Sequence, residues 1–261
     1  MNTLYHNDCL KIMKQLPSES VDLVYLDPPF FSNKNYEIIW GDKGEVRSFE
    51  DKWSGGINQY IEWLYERVNE MYRILKQTGS IYLHCDWHAN AYIRVYVLDK
   101  IFGIEQFRNE IIWGYQWGGV GKRNFAKKHD TIFWYSKSDK WTFNESLMRQ
   151  PYTTKDKKWH NNIGGKLLRD IWDDIPTINT KAKERIGYPT QKPLALLNRI
   201  ITASSNIDDI VFDPFMGGGT TIVMAGQLGR SFIGIDQSKA AVEVTKKRLE
   251  IENIKYNFKK R

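Results

Sequence analysis

The chain has 261 residues, of which 41% are hydrophobic and 26% charged, and a formal net charge of +7 at pH 7, which predicts one globular α/β domain with room for an inserted lobe. No apolar run reaches the roughly 18 residues of a membrane span, and no signal-peptide pattern is visible, so we expect a cytoplasmic protein with no membrane partner. Cys9 and Cys85 are too few for a disulfide framework.

The first half of the chain alternates apolar segments of strand and helix length. Val21–Leu26 reads VDLVYL and is a predicted buried strand, which ends at Asp27 because the prolines after it cannot continue a central strand. Residues 31–56 are polar and aromatic, and we expect a long loop there. Apolar residues at three- and four-residue spacing predict a helix over 57–75, which Gly79 would follow as a stop signal. Further predicted elements are a strand over 80–84, a helix over 88–102 and a strand over 109–115.

The last third of the chain returns to the same rhythm. An apolar stripe behind Pro193, a favoured first-turn residue, predicts a helix over 194–201. It is followed by predicted strands over 209–213 and 231–236 and predicted helices over 220–228 and 239–250. This alternation predicts an α/β fold, a doubly wound and mostly parallel sheet with helices on both faces.

Residues 116–185 have weak periodicity, many charges and several glycines, so we expect an inserted recognition lobe between a main domain of residues 1–115 and 186–261. Two runs in or near this stretch, 121–128 and 155–169, are rich in basic residues and interleaved with aromatic ones. Basic groups neutralise phosphates and aromatic rings can stack on exposed bases, although a solvated surface is the structural alternative. The candidate DNA contacts are Lys122, Arg123, Lys127, Lys128, Lys157 and Lys158.

A glycine-rich turn at residues 217–219 follows the predicted strand that ends at Asp213. Glycines allow a ligand to approach the backbone closely. Thr220 stands where a phosphate-binding loop would have lysine, and the spacing is not that of a pyrophosphate fingerprint. An acidic Asp213 suits the positively charged aminoacyl end of S-adenosylmethionine (SAM), and Asp236, 19 residues after Gly217, could accept both ribose hydroxyls. A tight turn without a ligand is the structural alternative.

The segment Asp27-Pro28-Pro29-Phe30, called here the DPPF segment, is the second chemical motif. Its prolines fix the backbone and remove two N–H donors, so it presents carbonyl groups and the Asp27 carboxylate, which are acceptors. Two acceptors could hold an exocyclic amino group and align its lone pair for attack on a methyl sulfonium, while Phe30 stacks on a flipped base. A strand-ending turn is the alternative. Of the five histidines only His84 and His88 have ligand spacing, and they lie across a predicted break between strand, loop and helix, so we expect no metal.

Together these segments resemble the β-class DNA amino-methyltransferases, in which the catalytic segment precedes the SAM segment. The resemblance implies a seven-stranded SAM-dependent methyltransferase sheet, with residues 116–185 as the target-recognition region. The matching pieces are DPPF (27–30), GSIYLHCDW (79–87), FRNEIIW (107–113), YPTQKP (188–193), FDPFMGGGTT (212–221) and FIGID (232–236).

The resemblance also implies roles for individual residues. The catalytic set that would hold the target base is Asp27, Pro28, Pro29 and Phe30. The cofactor-binding set comprises Asp8 and Cys9 near the cofactor adenine, Thr190 and Lys192 facing the methionine carboxylate, Asp213, Phe215, Gly217, Gly219 and Thr220 around the cofactor, and Asp236 on its ribose.

By this resemblance the chain would be a site-specific DNA methyltransferase that moves a methyl group from SAM to N6 of adenine in double-stranded DNA. Asp before the two prolines favours adenine, where serine would favour cytosine. Three alternatives stay open: N4-cytosine methylation, methylation of RNA or of a protein amide, and DNA binding without catalysis. A homodimer and a cognate restriction endonuclease are the other partners that the family suggests.

Overall fold

The computed structural model describes residues 2–32, 35–40, 45–51, 53–116, 121–152, 164–179 and 181–260, with the backbone alone over 35–40 and 45–50. The strands are β1 (Thr3–His6), β2 (Val21–Leu26), β3 (Asn35–Trp40), β4 (Glu45–Glu50), β5 (Leu75–Cys85), β6 (Phe107–Gly114), β7 (His129–Ser136), β8 (Arg149–Gln150), β9 (Lys166–Leu167), β10 (Ile171–Trp172), β11 (Ile210–Asp213), β12 (Ser231–Asp236) and β13 (Asn257–Lys260). The helices are α1 (Cys9–Met13), α2 (Gly56–Ile74), α3 (Asn90–Ile93), α4 (Asp99–Phe102), α5 (Leu194–Ser204), α6 (Thr220–Gln227) and α7 (Lys239–Ile251), and a π-helical turn, Arg94–Leu98, joins α3 to α4.

One sheet organises the molecule, with strand order β10-β6-β7-β5-β2-β11-β12-β1-β13. Its strands pair in parallel except β7, which runs antiparallel to β5 and β6. The predicted α/β, mostly parallel fold is confirmed. The strand number differs from the seven expected, because β13 and the two-residue β10 extend the two edges of the seven strands from β6 to β1. These edge strands are short and pair through their backbones, so no apolar pattern marks them in the sequence.

Helices cover both faces of the sheet, as predicted. Side chains of β2 alternate between the two cores, with Val24 in one and Leu23 in the other, because successive residues of a strand point to opposite faces. The first core also holds Leu64 of α2, and the second holds Leu197 of α5 and Ile222 of α6. A sheet buried on both faces explains why its strands read as continuous apolar runs.

Two predictions about irregular segments are wrong. Within residues 31–56, β3 and β4 form an antiparallel hairpin where a loop was expected. Within residues 116–185, β7 lies between β5 and β6, so residues 129–136 belong to the sheet and not to an inserted lobe. The apolar run of β7 is short and surrounded by charges, which hides it from a periodicity test over a longer window.

The other predicted helices and strands lie close to their predicted ranges, whereas β1, α1, β8 and β9 lie where no element was predicted. The strand β5 begins at Leu75 directly after α2, so Gly79 lies inside the strand and does not stop the helix. In the part of the chain that the structure describes, no helix is both long enough and apolar enough to cross a bilayer.

Candidate active site

The two predicted chemical motifs meet at the carboxyl edge of the sheet. Strands β2 and β11 are parallel neighbours, with Leu23 opposite Val211, so the DPPF segment and the glycine turn leave the sheet side by side. Between them lies a cavity of about 800 Å³, a size typical of small-molecule sites. Its lining includes these residues of the predicted catalytic and cofactor sets: Cys9, Asp27, Pro28, Pro29, Phe30, Thr190, Lys192, Asp213, Phe215, Gly217, Thr220 and Asp236.

Asp8 and Gly219 do not line the cavity. The Asp8 carboxylate caps α1 by accepting from the Lys11 N–H and also accepts from Arg67 at 3.1 Å and from Gln237 at 2.7 Å. Because Gln237 lines the cavity, Asp8 reaches the site only through a neighbour. Gly219 has φ +73° at the start of α6 and fulfils a backbone requirement.

Two carboxylates, the buried Asp213 and the half-buried Asp236, anchor the glycine turn. Asp213 accepts a hydrogen bond from the Phe215 N–H at 3.0 Å, and Asp236 accepts from the Gly217 N–H at 2.9 Å and from the Ser238 N–H at 2.7 Å. Burial raises the pKa of both carboxyl groups, that of Asp213 to about 7. Their first effect is therefore structural, since they fix the turn against the ends of two neighbouring strands.

Lys192 occupies an unexpected place in the cavity. Its Nζ lies 2.5 Å from Oδ2 of Asp27 and 5.1 Å from the centre of the Phe30 ring. The side chains of the pair are only 11% and 17% exposed, so the contact is largely shielded from water. The family resemblance implied that Lys192 faces the cofactor, whereas its ammonium here bridges to the catalytic segment.

Other residues hold the DPPF segment and the two residues after it in place. The Tyr60 hydroxyl donates to the Pro29 carbonyl at 2.8 Å, so this acceptor is already engaged. Asp51 is fully buried and accepts from the Phe31 and Ser32 N–H groups, at 3.1 and 2.7 Å, and from the Trp53 indole at 2.9 Å. We missed Asp51 because one acid inside a polar segment carries no pattern of its own.

Basic residues lie near the same edge. Because β6 ends and β7 begins at the carboxyl edge of β5, the segment between them, residues 115–128, called here the basic segment, leaves and rejoins the sheet on the side that holds the cavity. Within it Lys122, Arg123 and Lys127 are exposed and Lys128 is half-buried. Lys157 and Lys158 lie outside the described residues.

Comparisons with known proteins agree with this geometry. A family model described as DNA methylase, for N6 and N4 amino-methyltransferases, matches residues 21–247. The chain is 36% identical over 248 residues to the type II methyltransferase M.HpaI of Haemophilus parainfluenzae, covering 94% of this chain and 73% of that protein. It is 32% identical to the DNA adenine methyltransferase YhdJ of Escherichia coli strain K12, covering 95% of this chain and 83% of that protein.

The fold comparison points the same way. The solved structure of an M1.HpyAVI–SAM complex superposes with a TM-score of 0.63 and 25% identity, covering 95% of this chain and 99% of the other. Sequence and fold agree over nearly the whole chain, and the chain belongs to the DNA methylase family.

Proposed function

We propose that this chain is a SAM-dependent, site-specific DNA methyltransferase that methylates N6 of adenine. The observation that carries the proposal is the shared cavity, in which the DPPF segment and the glycine turn face one space. Only such a placement brings a methyl donor within bonding reach of a base nitrogen. The similarity to a DNA adenine methyltransferase supports adenine as the target base.

The residues of the cavity fit SAM. A buried acid, Asp213, suits the ammonium of the methionine moiety, and Lys192 can neutralise its carboxylate. The Asp236 carboxylate can accept from ribose hydroxyls. The rings of Trp63 and Phe215, whose centres are 5.6 Å apart, offer an apolar wall for the adenine ring of SAM. SAM, when bound, supplies a methyl group on a positively charged sulfur.

The catalytic segment would act by holding and orienting the target amine. The Asp27 carboxylate accepts an N–H of the exocyclic amine, which raises electron density on the nitrogen, and Phe30 stacks on the extruded base. The Lys192 ammonium already occupies Oδ2 of Asp27. A methionine carboxylate in the cavity would attract this ammonium and free the oxygen for the target base, so cofactor binding would prepare the base site.

We expect SAM affinity to depend on pH through Asp213, whose pKa burial raises from 3.8 to about 7. Because the folded pKa exceeds the unfolded one, the folded protein keeps a proton that the unfolded chain has lost, and the contribution of Asp213 to stability falls as pH rises from 3.8 to about 7. A bound ammonium favours the carboxylate, so the SAM dissociation constant should fall up to about 10-fold between about pH 5.5 and about pH 7.5. Calorimetric titration measures this, and the same pH dependence in Asp213→Asn would contradict it.

We expect the basic segment to determine the salt dependence of DNA binding. Replacing Lys122, Arg123 and Lys127 together by glutamine should reduce the slope of log affinity against log salt by about 0.9 for each lost phosphate contact. Lys255→Gln is the control, because Lys255 is exposed and precedes β13 at the opposite edge of the sheet. Equal slopes for the wild type and the triple variant, measured by fluorescence anisotropy, would remove this segment from the interface.

Digestion of treated DNA to nucleosides, with mass detection, tests the proposed function. N6-methyladenine is the expected product, whereas N4-methylcytosine would redirect the proposal to the other base. No label transferred from SAM to double-stranded DNA would overturn it. Sequencing of modified positions would then supply the recognition site.

The finer parts of the proposal concern partners and organisation. We propose that the target-recognition region comprises residues 116–128 and 137–185, on either side of β7. A homodimer and a cognate restriction endonuclease stay predictions from the family resemblance, and a cytoplasmic location stays a prediction from the sequence pattern. Sedimentation of the purified chain tests the first of these directly.

A further inference from the structure

A fully buried histidine lies behind the aromatic wall of the cavity. The ring of His84, on β5, is 5.7 Å from the Phe30 ring, with 30° between their planes. Phe30 lines the cavity and His84 does not, so the imidazole lies behind the phenyl ring as seen from the cavity. Trp113 packs edge-on against the same imidazole at 5.7 Å.

Hydrogen bonds fix this imidazole at both nitrogens. Nδ1 lies 2.9 Å from the Tyr25 hydroxyl, and Nε2 lies 3.1 Å from Oδ2 of Asp130. The Tyr115 hydroxyl donates to the other Asp130 oxygen at 3.0 Å. Burial raises the pKa of Asp130, but the hydrogen bonds from His84 and Tyr115 outweigh it and lower the pKa below 3.8. An ionised Asp130 can only accept, so Nε2 of His84 donates to it, and Nδ1 forms the second hydrogen bond with the Tyr25 hydroxyl.

The network joins two parts of the proposed DNA site. Tyr25 lies on β2, two residues before Asp27. Tyr115 and Asp130 lie at the two ends of the basic segment, next to β6 and in β7. A hydrogen bond from the Tyr115 N–H to the Lys128 carbonyl at 2.9 Å also joins these two ends. A network of four polar side chains therefore connects β2, which precedes the DPPF segment, to the ends of the basic segment. Its members are Tyr25, His84, Asp130 and Tyr115.

Such a network is costly if any member loses its partner, whereas apolar residues in place of all four members would pack without that cost. We propose that His84 is a positioning residue for methyl transfer. Its ring packs against Phe30 and fixes that ring, and its hydrogen bond to Asp130 couples the position of Phe30 to the ends of the basic segment. DNA held by that segment then meets a base site that is already formed. This inference rests on the proposed function.

A pair of His84 variants separates the hydrogen bonds from general packing. His84→Phe keeps an aromatic ring but leaves the Tyr25 hydroxyl and Oδ2 of Asp130 without their His84 partner, and it should lower the single-turnover rate at saturating SAM by about 10- to 100-fold. His84→Gln can still accept from Tyr25 and donate to Asp130, so its rate should stay within about 5-fold of the wild type. In both variants the dissociation constant of SAM should change less than about 2-fold, because His84 does not line the cavity.

Tyr115→Phe provides a milder test that removes one hydroxyl. It should slow base capture, seen with 2-aminopurine at the mapped target position, and its effect should not add to that of His84→Phe because both act on one network. Additive effects, or a His84→Phe enzyme with the wild-type rate, would overturn the inference. A wild-type protein that transfers no methyl group to DNA would instead overturn the proposed function, so the two failures are distinct.

Discussion

Asp27→Ala is expected to lower the rate of methyl transfer by on the order of 10²- to 10³-fold while the protein still binds SAM. The carboxylate is the only charged acceptor of the DPPF segment, and it lines the cavity opposite the glycine turn. Without it the target amine loses both its orientation and the electron density that the carboxylate induces. Radiolabel transfer from SAM to DNA measures the rate, and calorimetry measures cofactor binding.

Asp27→Asn is the matched control, because alanine leaves the Lys192 ammonium without its partner at 2.5 Å. The amide keeps one acceptor oxygen for Lys192, so the variant should unfold at the wild-type temperature. Its NH2 group would meet the N–H groups of the target amine, so the rate should still fall at least about 10-fold. Full turnover by either variant would refute the catalytic assignment of Asp27.

Gly219→Ala is expected to damage the cofactor site although Gly219 does not line the cavity. Its φ is +73°, and a Cβ there would lie 2.4 Å from Oγ1 of Thr245, which is fully buried and donates to the Gly217 carbonyl. Backbone strain and overpacking together should lower the free energy of unfolding by about 2–4 kcal/mol. Because Thr245 supports the glycine turn, the dissociation constant of SAM should rise at least about 10-fold, which calorimetry measures.

Gly229→Ala isolates the conformational part of this effect. Gly229 has φ +74°, nearly the value of Gly219, but the nearest atom to an added Cβ is 3.8 Å away. We expect a loss of about 1 kcal/mol in urea unfolding and unchanged SAM binding. Equal losses at both glycines would show that the Thr245 contact has no influence on the turn.

Local sequence patterns predicted the elements whose apolar periodicity is strong. The helix α2 and the strand β2 could be predicted from residue spacing alone. A helix buried on one face repeats its apolar residues every three or four positions, and a strand buried on both faces is a continuous apolar run. The DPPF segment and the glycine turn could also be identified from the sequence, because proline restricts the backbone and glycine frees it wherever they occur. The family resemblance then joined these pieces into one expected site.

Tertiary structure decided the features that depend on distant residues. The place of β7 between β6 and β5 and the added edge strands β10 and β13 depend on backbone pairing with other strands, which leaves no local period in the sequence. The pairing of Lys192 with Asp27, the hydrogen bonds of Asp51 to the two residues after the DPPF segment and the network around His84 join groups that are far apart in the chain. The sequence by itself determined which chemistry the chain carries; only folding decided which charges and rings meet, because contacts between elements have no signature in the residues of either one.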